Sequence, residues 1–256
     1  MAPKTVFITG ANRGIGLGIV EKLLGIKEIE TIIAGARNLE AAKELQSLAQ
    51  SDSRLQLIQV DVSNDQSLSE SVKTVEQIVG NRGLNLLINN AGMIEVYQTT
   101  SVPERQKVLN CINVNAVSAL LVSQSFLPLL QKAAALGDHT PETLSASRAA
   151  ILNIGSDCSS QTLNVPGFCN DTLLAYKMSK TAMLSFARTL TADFKSLNIP
   201  VLVTTMHPGW VLTDMGGPNA PVTVSESAGD IVDSFGKLNA AHNGGLFDRK
   251  LVEMPF

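Results

Sequence analysis

Short apolar runs of strand length alternate with helical patterns along this whole chain, and that alternation sharply limits the folds open to it. TVFITG (5–10), TIIAGAR (31–37), LQLIQVDV (55–62), LNLLINNAG (84–92), AAILNIGS (149–156) and PVLVTTMHPG (200–209) read as strands, with a candidate edge strand at 244–248. Helical stretches lie between them. GIGLGIVEKLLG follows the first strand, and 38–50 places Leu39, Ala42, Leu45 and Leu48 on one side. Leu68, Val72, Val75 and Val79 fall at helical spacing, two helices cover 103–132, one covers 174–196, and a last lies near 225–237. Strands apolar on both faces, each followed by a helix, predict a parallel sheet covered on both sides with right-handed crossovers. The expected fold class is therefore α/β: a single-domain, Rossmann-type doubly wound parallel sheet flanked by helices on both faces. A length of 256 residues, 45% of them apolar, suffices for that core as one domain, 1–256. Two stretches read as loops: 133–147, a surface loop with Gly, Pro and small polar residues, and 157–172, before the helix at 174.

A formal net charge of −3 and no basic cluster argue against a nucleic-acid partner. No uninterrupted apolar run reaches the roughly 18–20 residues of a bilayer span, so no membrane association is expected. MAPKTVFITG enters a strand at once, which predicts no signal peptide. Cys111, Cys158 and Cys169 show neither CxxC nor zinc spacing. They predict a reducing, cytoplasmic setting, no disulfide framework and no metal site. Cys158 and Cys169 flank the candidate site below and read as small residues lining a loop.

TGANRGIG (9–16) sits where a glycine motif has physical meaning, after a strand and at the start of a helix. Gly10 allows a sharp turn, Gly14 lets backbone approach a pyrophosphate, and Gly16 lets the helix pack close to the sheet. The helix start then offers unpaired N–H groups and a positive dipole end to phosphate. The end of the second strand faces the adenosine ribose in such folds, where an acid would bind the 2′-hydroxyl of NAD. Here Ala36 is followed by Arg37, which can pair with a 2′-phosphate through its planar fork. Arg13 in the glycine turn is a candidate second charge, so NADP (NADPH) is expected over NAD. Asp61, closing the third strand, either binds the adenine amino group, with Val62 beneath the ring, or caps the next turn. In NNAG (89–92), Asn90 is placed to tie strand ends together, while Asn89, Ala91 and Gly92 can offer backbone to the cofactor.

LLAYKMSK (173–180) puts Tyr176 one helical turn before Lys180. On a helical wheel Ala175, Ser179, Ala182, Met183, Phe186 and Leu190 form one seam, with Lys177, Arg188 and Lys195 opposite. Tyr176 and Lys180 fall on the border between core and solvent. His207 reads as a packed, hydrogen-bonded residue, and His139 and His242 as loop residues.

Together these residues resemble the short-chain dehydrogenase/reductase family over nearly the whole chain. The shared motifs are TGANRGIG, NNAG, an asparagine in VNA, a serine after the fifth strand, YKMSK and HPGWVLTDM. The NRG turn, the HPGWVLTDMGG segment and the short tail after NGG resemble the sniffer-type carbonyl reductases and C-factor-like proteins. The resemblance implies a catalytic set of Ser156, Tyr176, Lys180 and Asn115. It implies cofactor contacts from Gly10, Asn12, Arg13, Gly14, Ile15 and Gly16, and from Pro208, Gly209, Val211 and Thr213. It further implies a homo-oligomer, a dimer rather than a tetramer, joined through the helices around 103–132 and 174–196.

The implied activity is NADPH-dependent reduction of a small ketone or aldehyde. Tyr176 donates the proton, Lys180 lowers its pKa and binds the nicotinamide ribose, and Ser156 orients the carbonyl. Asn115 bends its helix and holds a water that links Lys180 to solvent. A cofactor-sensing regulatory role is the alternative. The interval from Ser156 to Tyr176 is longer than usual for the family, so 157–172 is expected to shape the substrate side. The short segment after Thr213 predicts a reduced lid and an open cleft.

Overall fold

The structure is a computed structural model, which describes residues 1–137, 140, 143–169 and 171–256. All seven strands lie in one parallel sheet: β1 (Thr5–Thr9), β2 (Thr31–Ala36), β3 (Leu55–Gln59), β4 (Leu86–Asn89), β5 (Ala150–Ile154), β6 (Leu202–His207) and β7 (Leu246–Asp248). Their order is β3-β2-β1-β4-β5-β6-β7. The chain winds outward from β1 in both directions, so the crevice between the carboxyl ends of β1 and β4 is the place where such sheets bind ligands. The helices are α1 (Gly14–Leu24), α2 (Lys43–Ser51), α3 (Asp65–Val79), α4 (Arg105–Ile112), α5 (Ser118–Ala134), α6 (Leu174–Ser196) and α7 (Val224–Ser234).

Side-chain alternation in β1 explains the two layers. Val6 and Ile8 enter one buried cluster with Ile19, Leu23 and Ile231, from α1 and α7. Phe7 points the other way, into a cluster with Val75, Phe126 and Phe194, from α3, α5 and α6. The Phe7 and Phe126 rings stack at 4.8 Å. Gly18 brings α1 onto α7, since a Cβ there would lie 2.6 Å from Val224 Cγ1.

Several boundaries differ from the sequence reading. The strands are shorter, because pairing stops where the chain turns toward the crevice. Leu39 precedes α2 rather than lying in it. The stretch 103–132 is one nearly continuous rod, with a π turn at Asn113–Val117 between α4 and α5. Despite the expectation, this rod (Arg105–Ala134) is long and apolar enough to cross a bilayer by composition. The fold uses it as a core helix, with Val122, Phe126 and Leu130 at 1% exposure or less.

The loop expected at 133–147 begins later, because α5 runs through Ala134. It is also less free than a surface insertion. Arg148 Nε donates to the Ala134 carbonyl and Nη1 to those of Thr140 and Thr143, Leu144 packs on the core, and Ala146 is buried. His139 lies outside the described residues.

Candidate functional site

The glycine turn is packed so tightly that side chains are excluded. Gly10 is left-handed (φ 65°), and a Cβ on it would meet Ala91 Cα at 2.9 Å. A Cβ on Gly16 would lie 2.5 Å from Asn90 Nδ2 and would also strike the Gly10 carbonyl. Gly16→Ala is therefore expected to destabilise the fold by about 1–3 kcal/mol through overpacking, read as a lower urea midpoint. Asn90 ties the turn together as expected, donating to the carbonyls of Thr9 and Gly10 at 2.9 Å each. Asn89 ties as well, since its Nδ2 reaches Ser123 Oγ and Asn153 Oδ1. The start of α1 carries no side-chain cap and no acid in its first turn. Its leading amides, at Gly14, Ile15 and Gly16, are therefore without intrahelical acceptors. Asn12 and Arg13 lead into them. A cradle that side chains would fill, beneath an uncapped positive helix end, fits a dinucleotide phosphate.

Arg37 follows β2, is exposed, and has no ion-pair partner among the described residues. Arg13 behaves differently from expectation. Its guanidinium pairs with Asp214 at 2.5 Å, across the mouth of the glycine turn. Both side chains are largely exposed, so the pair contributes only about 0–1 kcal/mol. Asp61 adopts the turn-capping option: Oδ1 accepts from the Ser63 amide and hydroxyl. Val62 beside it is half-buried.

The 208–213 segment closes the other side. The Pro208 carbonyl accepts from Ser227 Oγ, and Gly209 is left-handed (φ 86°). Val211 bridges to Val222, and Thr213 Cγ2 would lie 3.3 Å from a Cβ on Gly14. Between Val211 and α7 the chain makes turns and one isolated bridge without a helix, and Trp210, Leu212 and Met215 stay exposed.

Ser156 stands two residues beyond β5 and opens a 3-10 turn, Asp157–Ser159. Its Oγ accepts from the Cys158 amide at 3.1 Å and donates to Asp157 Oδ1 at 2.9 Å. Helix α6 supplies Tyr176 and Lys180. Lys180 Nζ lies 5.7 Å from the Tyr176 ring centre and donates to the Ile154 carbonyl at 2.8 Å. Ser156 lies near enough to the Tyr176 phenol to lower its pKa, so all three side chains converge at the end of β5.

Burial governs the electrostatics. Desolvation, with the neighbouring Cys158 second, pushes the Tyr176 phenol well above its ordinary value and outweighs the lowering by Ser156. Desolvation also pulls Lys180 down to about 8. The tyrosine is thus raised rather than lowered, because desolvation dominates in a site that penalises charge.

Asn115 is fully buried on the π turn. Its Oδ1 accepts from the Met93 amide, and its Nδ2 donates to the Met93 carbonyl and Ser179 Oγ, each at 2.8 Å. Its side-chain donors are therefore used by protein, and Gly92 lies against its Oδ1.

The wheel reading of α6 needs two corrections. Lys180 is 5% exposed, so the buried seam runs through Lys180, Met183, Leu184 and Ala187 instead of Ala182 and Phe186. Lys177 is not on a free outer face. Its Nζ donates to Asn164 Oδ1 and to the Phe168 carbonyl, which tethers the 157–172 loop. A wheel shows only the helix's own periodicity, and here the neighbours above it are a loop and a strand end.

His207 is packed as expected. Its Nδ1 accepts from the Asp157 amide at 3.1 Å, and burial holds its pKa down. Sequence reasoning missed Asp157, which clamps Ser156, and Ser179, which links Asn115 to α6. The adjacency of Ser156 and Asp157 was the only available signal, and it is common in turns.

Comparison with known proteins gives the family and the fold. Residues 4–221 match the family model described as short chain dehydrogenase. Sniffer of Caenorhabditis elegans is 43% identical, with 100% of both chains covered and a TM-score of 0.90. The carbonyl reductase Sniffer of D. melanogaster is 32% identical over 99% of this chain and 100% of its own, with a TM-score of 0.93. An NADPH-bound carbonyl reductase from chicken fatty liver is also 32% identical, over 100% and 95%, with a TM-score of 0.93.

Proposed function

Because the chain belongs to the short-chain dehydrogenase family and is an oxidoreductase of that family, we propose that it is an NADPH-dependent carbonyl reductase acting on small ketones or aldehydes. The observation that carries this reading is the convergence of Ser156, Tyr176 and Lys180 at the end of β5, beside the uncapped start of α1. Gly10, Asn12, Gly14, Ile15 and Gly16 would hold the pyrophosphate, and Val62, Asn89, Ala91 and Gly92 the adenine and ribose side, with Asp61 capping the turn beneath them. Pro208, Gly209, Val211 and Thr213 would hold the nicotinamide end. NADPH, when bound, supplies the hydride. Tyr176, a neutral phenol at pH 7, donates its phenolic proton to the substrate oxygen. Lys180 opposes the negative charge left on the phenolate, and Ser156, turning its hydroxyl from Asp157 Oδ1, would donate a hydrogen bond to the substrate oxygen. Asn115 keeps α6 in register with the Gly92 turn through Ser179.

Arg37 is the proposed partner of the 2′-phosphate. Arg13, whose Nη1 pairs with Asp214, is the second candidate charge. Combining Ala36→Asp with Arg37→Leu is expected to shift relative affinity from NADPH toward NADH by about 10–100-fold, since a charge-assisted hydrogen bond contributes roughly 1.5–3 kcal/mol. Parallel fluorescence titrations with the two cofactors read this, and an unchanged ratio rules out Arg37. The function itself is tested by NADPH absorbance loss against diketones, quinones and aldehydes. NADPH binding without any turnover across that panel would instead favour a cofactor-sensing role. We further propose a cytoplasmic homodimer formed through the α4–α5 rod and α6, where Leu109, Val117 and Met178 are exposed. Light scattering on the eluted protein gives its mass directly.

A further inference from the structure

The insertion between Ser156 and Tyr176 is bracketed by two thiols that the proton transfer does not use. Cys158 Sγ and Cys169 Sγ stand 2.9 Å apart. Cys158 is buried at 5% exposure, while Cys169 is half-buried near the end of the loop. Cys169 occupies left-handed backbone (φ 58°), a conformation that non-glycine residues hold only when their surroundings impose it. Next to it, Lys177 Nζ donates to the carbonyl of the preceding Phe168.

Asp157 completes a set of three potential metal ligands with the two cysteines. The engagement of Asp157 decides against that use, since the 2.9 Å sulfur spacing lies about as far from a zinc-bound pair as from a disulfide. Two thiolates bound tetrahedrally to one zinc at ~2.3 Å would lie ~3.8 Å apart. Asp157 Oδ1 already accepts from Ser156 Oγ and the Cys158 amide. A disulfide needs ~2.05 Å, less than ~1 Å of further approach.

We propose that Cys158 and Cys169 form a reversible dithiol–disulfide modification site, oxidised by hydroperoxides, whose bond pins the inserted loop beside Ser156 and Tyr176. The more exposed Cys169 sulfur attacks the peroxide, giving a sulfenic acid and releasing an alcohol. The Cys158 sulfur then attacks that sulfur and releases water. The two sulfurs lose two electrons, the peroxide gains them, and the thiol protons leave in the alcohol and the water. Burial holds both thiols protonated at rest, and at Cys169 it outweighs the lowering by Cys158 and, less, by Lys177. A reducing setting therefore keeps the pair open until peroxide rises. The link to catalysis runs through the Cys158 amide, which donates to Ser156 Oγ.

The test treats the full chain with tert-butyl hydroperoxide, then denatures it and alkylates free thiols before intact-mass and peptide analysis. Of the three cysteines, only Cys111 should remain alkylatable, with the Cys158 and Cys169 peptides joined. Dithiothreitol should restore all three. Retention of all three thiols, loss of Cys111 alone, or stoichiometric zinc that blocks alkylation overturns the proposal. The effect on turnover rests on the carbonyl-reductase reading. Oxidised protein should differ by about 3-fold or more in kcat/KM for a bulky ketone, because a pinned loop cannot move to admit or release it, and Cys169→Ser should be indifferent to peroxide. A crosslink without that change refutes the pinning. A crosslinking chain that never consumes NADPH refutes the reductase reading and leaves the thiol site standing.

Discussion

Tyr176→Phe is expected to cut kcat by about 10³-fold or more while NADPH binds within about threefold of wild type, as removal of a general acid alone predicts. The phenol is the group placed to protonate the alkoxide. Ser156 is tied to Asp157, Lys180 to the Ile154 carbonyl, and Asn115 to Met93 and Ser179. Burial holds the phenol protonated far above neutrality. Phe keeps the ring and so the packing, losing only the hydroxyl. Single-turnover absorbance with a reactive diketone, alongside a fluorescence titration, separates chemistry from binding. Turnover within tenfold of wild type would eliminate Tyr176 as the donor.

Lys180→Met is expected to abolish turnover by a comparable factor and yet stabilise the cofactor-free protein at neutral pH. The folded-state value is about 8 against an ordinary 10.5. Between those values the unfolded chain binds more protons than the folded one, so stability from this group rises with pH. The penalty for holding the ammonium at pH 7 is about 3 kcal/mol. Against it stands the lost hydrogen bond to Ile154, about 1–1.5 kcal/mol. The variant should thus be more stable by about 1–2 kcal/mol at pH 7 and less stable near pH 10.5. Urea unfolding of both proteins at the two pH values checks this. A difference that keeps the same sign at both would show that Lys180 is not desolvated in the folded chain. With NADPH bound the balance should move back toward the lysine, as a site built for charge in the complex requires.

The strand and helix order was legible because each strand is apolar on both faces and each helix carries its own 3.6-residue pattern. The glycine turn was legible for a related reason. Gly10 and Gly16 leave no space for a Cβ, and such positions admit one residue type. Tyr176, Lys180 and Ser156 could be named because their types and order are unusual enough together. The state of those residues could not be read. The phenol is raised rather than lowered because desolvation depends on everything packed around it. Lys177, an outward residue by periodicity, turned inward to hold a loop whose path no local pattern encodes. Arg13 met Asp214, 201 positions along the chain.

Sequence by itself determined the parallel α/β order, the glycine turn and the identity of the residues at the carboxyl edge of the sheet, because these follow from local periodicity and steric exclusion. Only the tertiary structure decided which charges pair, which titrating groups are desolvated, and that Cys158 and Cys169 meet. Those are properties of distance and burial, and they exist only once β5, the inserted loop and α6 are brought against one another.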